Sequence, residues 1–368
     1  MAKKRIKRNN PIHILTVNCG SSSVKYKLFS FPKEKVITNG LIEQIGEEGS
    51  SVKNHHQAIE LVIDRILSLG VSLDDIKAVG HRVVHGGEKF VEPTIITDEV
   101  IEQIRALFDL APLHNPANLE GIIATSKVLS SAVQVAVFDT AFHSTLPNYA
   151  YIYALPYRYY EKYGVRRYGF HGTSHKYVAI TASEKLKKPL SKLNLITCHL
   201  GNGCSVTAIK NGVSVDTSMG MTPLEGLVMG TRSGDIDPAL IFFLQEKESL
   251  CPKDVDKILN KESGLKGISG VSNDFRDLLK AREQGNQRAG LAIEVFKYRL
   301  LKYVGAYAMA LGRVDAIVFT GGIGEHVKEI RDYVAKAAKK VLKQSPKILV
   351  IPTDEELMIA RQSYKFVK

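Results

Sequence analysis

The feature that most constrains this 368-residue chain is one short unit written twice. The segments His13 to Phe31 and Asn194 to Ser218 each run an apolar strand into a polar residue, then a tight glycine turn, then a second strand. The first turn is Asn18-Cys19-Gly20-Ser21-Ser22-Ser23 and the second is His199-Leu200-Gly201-Asn202-Gly203. Glycine lets backbone N–H groups crowd an anion that a bulky side chain would keep away. Two phosphate-sized hairpin turns, one per half, point to a duplicated fold.

The rest of the chain alternates short β-branched runs with helical spacing. Ile12 to Val17, Val133 to Phe138, Leu193 to Cys198, Ala316 to Thr320 and Lys347 to Ile351 read as buried strands; Glu99 to Phe108, Lys176 to Leu186 and Leu291 to Met309 read as helices. The fold class is therefore α/β with central sheets. Proteins of the actin, sugar-kinase and heat-shock ATPase superfamily share this duplicated plan, with ATP in a cleft between two similar lobes, and here the likeness is one of architecture. The tyrosine-rich, proline-marked segment Pro147 to Tyr160 is the best place for the chain to cross between lobes.

Composition narrows the class. With 44% hydrophobic and 24% charged residues the chain has ordinary globular composition and length for two cores. Fifty Lys+Arg against 38 Asp+Glu give +12, which favours anionic partners. The one dense basic block is Lys3, Lys4, Arg5, Lys7 and Arg8, which reads as a solvated terminus rather than a nucleic-acid arm. The apolar stretch after it is too short for a secretion signal, and no segment reaches the roughly 20 apolar residues of a membrane helix. Cys19, Cys198, Cys204 and Cys251 contain no Cys-x-x-Cys pair, which suits reduced thiols in a cytoplasm. Cys198, His199 and Cys204 lack a fourth ligand for zinc.

A third glycine turn, Thr320-Gly321-Gly322-Ile323-Gly324-Glu325, follows a strand and opens a helix, which aims helix N-terminal amides at an anion. The chain has no G-x-x-x-x-G-K-[ST] loop, no protein-kinase H-R-D or D-F-G triplet, and no G-x-G-x-x-G spacing, so the two large kinase classes and the dinucleotide oxidoreductases are disfavoured. Four loop-like runs then gather the residue types that phosphoryl transfer needs. They are Gly80 to Gly87 (with His81, Arg82 and His85), Phe138 to His143 (with Asp139), Tyr168 to His175 (with His171), and Met229 to Asp237 (with Arg232). Singly, each such residue is more often a surface or turn residue. Their density among glycines favours a shared site.

The stretches TVNCGSSSVKYKL, GHRVVHGGE, LAPLHNPAN, VFDTAFHSTLP, RRYGFHGTSHKYV, HLGNGCSV, DTSMGMTPLEGLVMGTRSGDIDP, FTGGIGE and VIPTDEELMIA resemble the successive motifs of the acetate kinase family, in order and over nearly the whole chain. The resemblance implies two lobes of duplicated actin-like, ribonuclease H-like topology. An N-terminal lobe would span residues 1–146 plus 354–368 and a C-terminal lobe 147–353, the latter binding nucleotide and forming a homodimer. It also implies reversible, direct in-line transfer from ATP to acetate, giving acetyl phosphate and ADP, with Mg2+ or Mn2+.

Carried over by position, Arg82 resembles the arginine that binds the carboxylate, for which a planar guanidinium fork is suited. Arg232 would stabilise the phosphoryl group in flight and His171 would hydrogen-bond its equatorial oxygen. Asp139 matches the catalytic carboxylate. Acetate is already ionised near neutral pH, so positioning metal and substrate is favoured there over proton abstraction. Asn18 and Glu355 match the magnesium-linked positions, and Lys25 should reach a phosphate. The nucleotide segments are His199, Leu200, Gly201, Asn202 and Gly203; Asp274, Phe275 and Arg276; and Gly322, Ile323, Gly324, Glu325 and His326. Val84, Leu113, Phe170 and Pro223 match the apolar pocket for the acetate methyl, which would discriminate chain length by about 1–3 kcal/mol per methylene.

Two departures stand out. His326 replaces the usual Asn, and the chain is shorter between Leu41 and Val79 and between Asp332 and Ile348. The alternatives are a propionate or butyrate kinase of the same family and a non-enzymatic, actin-like nucleotide switch. No nucleic-acid or membrane partner is expected.

Overall fold

A computed structural model describes residues 11–112, 114–342 and 345–368; the basic block Lys3 to Arg8 and Leu113 lie outside the described residues. The chain divides into two compact units, Met1–Ala141 with Asp354–Lys368, and Phe142–Thr353. Pro147 to Tyr160 lies within the second.

The first unit is built on β1 (Ile12–Cys19), β2 (Val24–Phe31), β3 (Lys35–Ile42), β4 (Ile76–Val83), β5 (Thr94–Ile95) and β6 (Val133–Phe138), in the sheet order β3-β2-β1-β4-β6-β5. β1 to β3 form an antiparallel meander, β4 and β6 run parallel to β1, and β5 closes the edge antiparallel. Side chains alternate between the two faces of a strand. Leu15, Val17 and Cys19 therefore join one core with Ile59, Val62, Ile63 and Ile66 of the helix His55–Ser68. Ile14 joins Phe29, Phe31 and Ala78 in another, against Ala360 of the helix Glu355–Tyr364. Helices cover both faces, which is why apolar residues of β1 are buried on each side of the sheet.

Two glycines permit this closeness. A Cβ on Gly121, in the helix Asn115–Val128, would overlap Cys19 Sγ, and one on Gly80 of β4 would overlap Ser363 and Ile359 of the C-terminal helix. The second contact corrects the loop reading of Gly80 to Gly87: its first four residues end β4. There His81 is buried and Nε2 donates to Gln134 Oε1 at 2.8 Å.

The second unit is built on β7 (Asn194–Leu200), β8 (Cys204–Lys210), β9 (Val213–Thr217), β10 (Ala316–Thr320) and β11 (Lys347–Val350), in the order β11-β10-β7-β8-β9. β7 to β9 are antiparallel, and β10 and β11 run parallel to β7. Thus β9-β8-β7-β10-β11 repeats β3-β2-β1-β4-β6, and the duplication read from the two hairpin turns is borne out. Val178, Ala179 and Ala182 of the helix Gly172–Leu186 pack on Leu195, Ile209 and Val318. The helix Gln287–Leu311 buries Ile293, Phe296 and Leu300 and packs on β7 and β8. Its N-terminus is capped by Asn286, whose side chain accepts from Ala289 N at 2.9 Å. Gly172 to His175, read as loop, form the first turn of their helix. Among the described residues no helix is long and apolar enough to cross a membrane.

Candidate functional site

In the first unit the C-terminal ends of three parallel strands gather an acidic cluster around one arginine. Such strand ends are where open α/β sheets place their ligands. Arg82 lies near the end of β4, Asn18 near the end of β1, and Asp139 follows β6 with its N–H donating to Val83 O at 2.9 Å. Asp139 is fully buried, and its Oδ2 accepts from Arg82 Nε at 3.0 Å and Nη2 at 2.5 Å. Arg82 Nη1 reaches Asn18 Oδ1 at 3.4 Å, and Nε lies 3.7 Å from Glu355 Oε2.

Glu355 opens the C-terminal helix, which Asp354 caps by accepting from Leu357 N. Burial raises the Glu355 pKa to about 7; the nearby Asp139 and Glu356 carboxylates add to the rise, against Arg82 and Lys25. Burial pulls the Arg82 guanidinium down, but Asp139 and Glu355 outweigh it and hold the pKa above the ordinary arginine value. Lys25, expected at a phosphate, pairs with Glu356 at 2.5 Å. Val84 is buried just past the arginine.

In the second unit, His171 takes a left-handed backbone (φ 56°, ψ 22°) at the start of the helix Gly172–Leu186. Its ring stacks on His199, centroids 4.2 Å apart, and Nδ1 lies 2.9 Å from Ser205 Oγ. A Cβ placed on Gly203 would lie 3.3 Å from His171 Nε2 and 3.5 Å from Arg232 Nη1, so imidazole and guanidinium converge on the hairpin turn. Burial lowers the Arg232 pKa. Its Nη1 donates to Pro223 O at 3.5 Å, and among the described residues no carboxylate pairs with it. A half-buried cation with no carboxylate partner among the described residues favours a negatively charged ligand. Phe170 is buried and its carbonyl accepts from His143 Nε2 at 3.0 Å.

Beside this turn the second unit has a cavity of about 580 Å³ lined by Gly201, Asn202, Asn273, Asp274, Phe275, Arg276, Gly322, Ile323, His326 and Val327. All three expected nucleotide segments therefore contribute to one pocket. His199, Leu200, Gly203, Gly324 and Glu325, also expected at the nucleotide, are absent from its lining. Glu325 Oε1 accepts from Gly321 N at 2.9 Å and so braces the third glycine turn. Asp274 caps the helix Phe275–Glu283 and pairs with exposed Arg276.

With this arrangement on view, the family model described as the Acetokinase family matches residues 13–343. The chain belongs to the acetokinase family. It is similar to the acetate kinase of Halothermothrix orenii, 53% identical over 395 aligned positions that take in 96% of this chain and 99% of the relative. Among solved structures it is similar to Porphyromonas gingivalis acetate kinase, 45% identical with TM-score 0.91, covering 97% of this chain and 100% of that one. It is also similar to a Francisella tularensis propionate kinase, 41% identical with TM-score 0.90, covering 96% and 99%. The 395 aligned positions outnumber the chain's 368 residues, so the Halothermothrix relative carries residues with no counterpart here.

The chain also holds the site with residues that the sequence alone did not single out. Asn118 Oδ1 accepts from Val84 N at 3.0 Å while Nδ2 donates to Cys19 O at 2.6 Å, tying the segment after β4 to the first glycine turn. Asn115 brackets His85 through both its N–H and its C=O, and Thr140 Oγ1 accepts from Gly86 N at 3.0 Å. His55 Nε2 donates to Gly20 O at 2.7 Å. Both asparagines lie in the stretch LAPLHNPAN, but their partners lie 30 and more positions away and no spacing signals them.

Proposed function

We propose that the chain catalyses reversible transfer of the terminal phosphoryl group of ATP to acetate, giving acetyl phosphate and ADP. An acetate oxygen attacks the γ-phosphorus, the bond from that phosphorus to the β-bridging oxygen breaks, and ADP carries away the electron pair. The observation that carries this reading is Arg232, a half-buried guanidinium without a carboxylate, set beside His171 at the Gly203 turn. Phosphoryl transfer asks for positive charge and N–H donors around spreading negative charge, and little else of the protein. The cavity with Gly201, Asn202 and Gly322 in its wall suits the nucleotide.

In the first unit Arg82 is the proposed carboxylate ligand. Of its five N–H groups, three face Asp139 and Asn18, and two remain for acetate oxygens. Val84, buried just past Arg82, is the proposed contact of the methyl group in this unit. Asn18, Asp139 and Glu355 offer hard oxygen donors, and the Glu355 carboxyl, raised to about 7 by burial with Asp139 and Glu356 adding to the rise, is one that a divalent cation would relieve. These residues fit Mg2+, which supplies charge neutralisation of the phosphates when bound. Lys25 is proposed to exchange Glu356 for a phosphate oxygen.

A homodimer is supported by the helix Ala239–Glu248, which buries none of its side chains and leaves Leu240, Phe242 and Phe243 exposed. The reduced, buried thiols of Cys19, Cys198 and Cys204 suit a cytoplasmic enzyme.

The test is to supply ATP and Mg2+ with acetate, propionate or butyrate and trap the acyl phosphate as its hydroxamate. Acetate giving the largest kcat/KM supports the reading. Propionate or butyrate ahead of acetate would reassign the substrate, and nucleotide binding with no carboxylate-dependent product would leave a nucleotide switch.

A further inference from the structure

Behind His171 runs a buried chain of four side chains. His171 Nδ1 lies 2.9 Å from Ser205 Oγ, Ser205 Oγ lies 2.7 Å from His175 Nε2, and His175 Nδ1 lies 2.7 Å from Thr197 Oγ1. The register makes this chain. His171 and His175 are four residues apart, one turn along the same helix face, and Ser205 and Thr197 come from the paired strands β8 and β7. His175, Ser205 and Thr197 are fully buried.

The protons on this chain can be placed by elimination. Burial, with His143 and His199 nearby, lowers the His175 pKa well below the ordinary value, so the ring is neutral and has one N–H and one lone pair. Among the described residues Thr197 Oγ1 has His175 Nδ1 as its one hydrogen-bond partner. A buried hydroxyl must place its proton on an acceptor, so Thr197 donates to Nδ1 and the His175 proton sits on Nε2. That N–H donates to Ser205 Oγ, whose own proton then has His171 Nδ1 as acceptor. The neutral His171 ring is left with its proton on Nε2, the atom that faces the Gly203 turn beside Arg232.

We propose that Ser205, relayed through His175 and Thr197, is a positioning residue that fixes the Nε2–H tautomer of His171, so that neutral His171 donates a hydrogen bond to an anion at the Gly203 turn. The relay removes the need to protonate the imidazole first. The charged and titratable groups facing His171 include Arg232, the stacked His199 of β7, and His175 behind it. Arg232 would oppose a second positive charge on the ring, and the relay supplies a donor without one. This inference rests on the phosphoryl-transfer reading for its consequence in turnover, but not for the tautomer itself.

Nitrogen-15 spectra of histidine-labelled wild-type protein at pH 7.5, with His171 and His175 assigned through His171→Gln and His175→Gln, read the tautomers directly. Both rings are expected as Nε2–H. A His171 ring carrying its proton on Nδ1 would overturn the relay, whether or not the protein phosphorylates acetate. In turnover, Ser205→Ala should lower kcat about 10- to 100-fold, the scale of removing an outer partner of a functional histidine, with KM for ATP little changed. The ratio of variant to wild-type kcat should rise toward acid, as protonation restores a donor at Nε2 in the variant. Ser205→Thr, which keeps the hydroxyl, should recover most of the rate. Unchanged kcat and pH profile in Ser205→Ala would overturn the proposal. A wild-type protein without carboxylate kinase activity would sink the functional reading and leave the tautomer measurement standing.

Discussion

Replacing Glu355 by glutamine should make the protein more stable at alkaline pH while removing a residue proposed for the metal. Glu355 begins the C-terminal helix with four-fifths of its side chain out of solvent, between Asp139, Glu356 and Arg82. Burial and those carboxylates raise its folded-state pKa to about 7 from an ordinary value of 4.5. A raised carboxyl pKa means that the folded protein holds the proton more tightly than the unfolded chain. Its contribution is therefore fully present below pH 4.5 and is lost as pH rises through 7. The loss is the pKa gap multiplied by about 1.4 kcal/mol per pH unit, or about 3 kcal/mol.

Glutamine keeps the shape without the charge, so Glu355→Gln should gain about 3 kcal/mol over wild type at pH 8.5 and about 1 kcal/mol at pH 5. With an unfolding entropy of about 2 cal/mol/K per residue over the whole chain, 3 kcal/mol corresponds to about 4 °C in Tm. Scanning calorimetry of both proteins at both pH values, without divalent cation, is the assay. An equal gap at pH 5 and 8.5, or a variant less stable at pH 8.5, would refute the electrostatic reasoning.

Gly121→Ala should cost about 1–3 kcal/mol, because the new methyl meets Cys19 Sγ. In Cys19→Ala background the same change should cost much less, and a double-mutant cycle by thermal melting checks it. Asn118→Ala strips partners from the buried Val84 N–H and Cys19 C=O, so a loss of about 1–3 kcal/mol is expected. It should also raise KM for acetate more than KM for ATP, which initial-rate kinetics would show.

The duplicated meander was legible because its signal is local: an apolar run, a glycine turn and a second run each fit within one hairpin. Strand β4 was harder to see. Gly80, His81 and Arg82 interrupt its apolar pattern, and the reasons lie elsewhere in the chain, in Ser363 and Ile359 above Gly80 and in Gln134 beside His81. Likewise the glycine turns and the Arg82, Asp139, His171 and Arg232 runs announced a phosphate chemistry by residue type. Their supports did not. Asn118, Thr140 and Ser205 are common polar residues whose importance comes from being buried against partners distant in sequence. Glycines such as Gly121 look like weak points in a helix until the neighbouring strand is seen to touch them.

Arg232 is proposed to meet the transferring phosphoryl group rather than the resting nucleotide. The most direct test of this compares Arg232→Ala with wild type in kcat for acetate phosphorylation and in the dissociation constant for ADP by calorimetry. A fall in kcat of about 10³-fold or more is expected, the scale of a transition-state arginine, with ADP affinity changed less than about threefold, within about 0.7 kcal/mol. A variant that keeps kcat within tenfold, or loses turnover only as fast as it loses ADP, would contradict it.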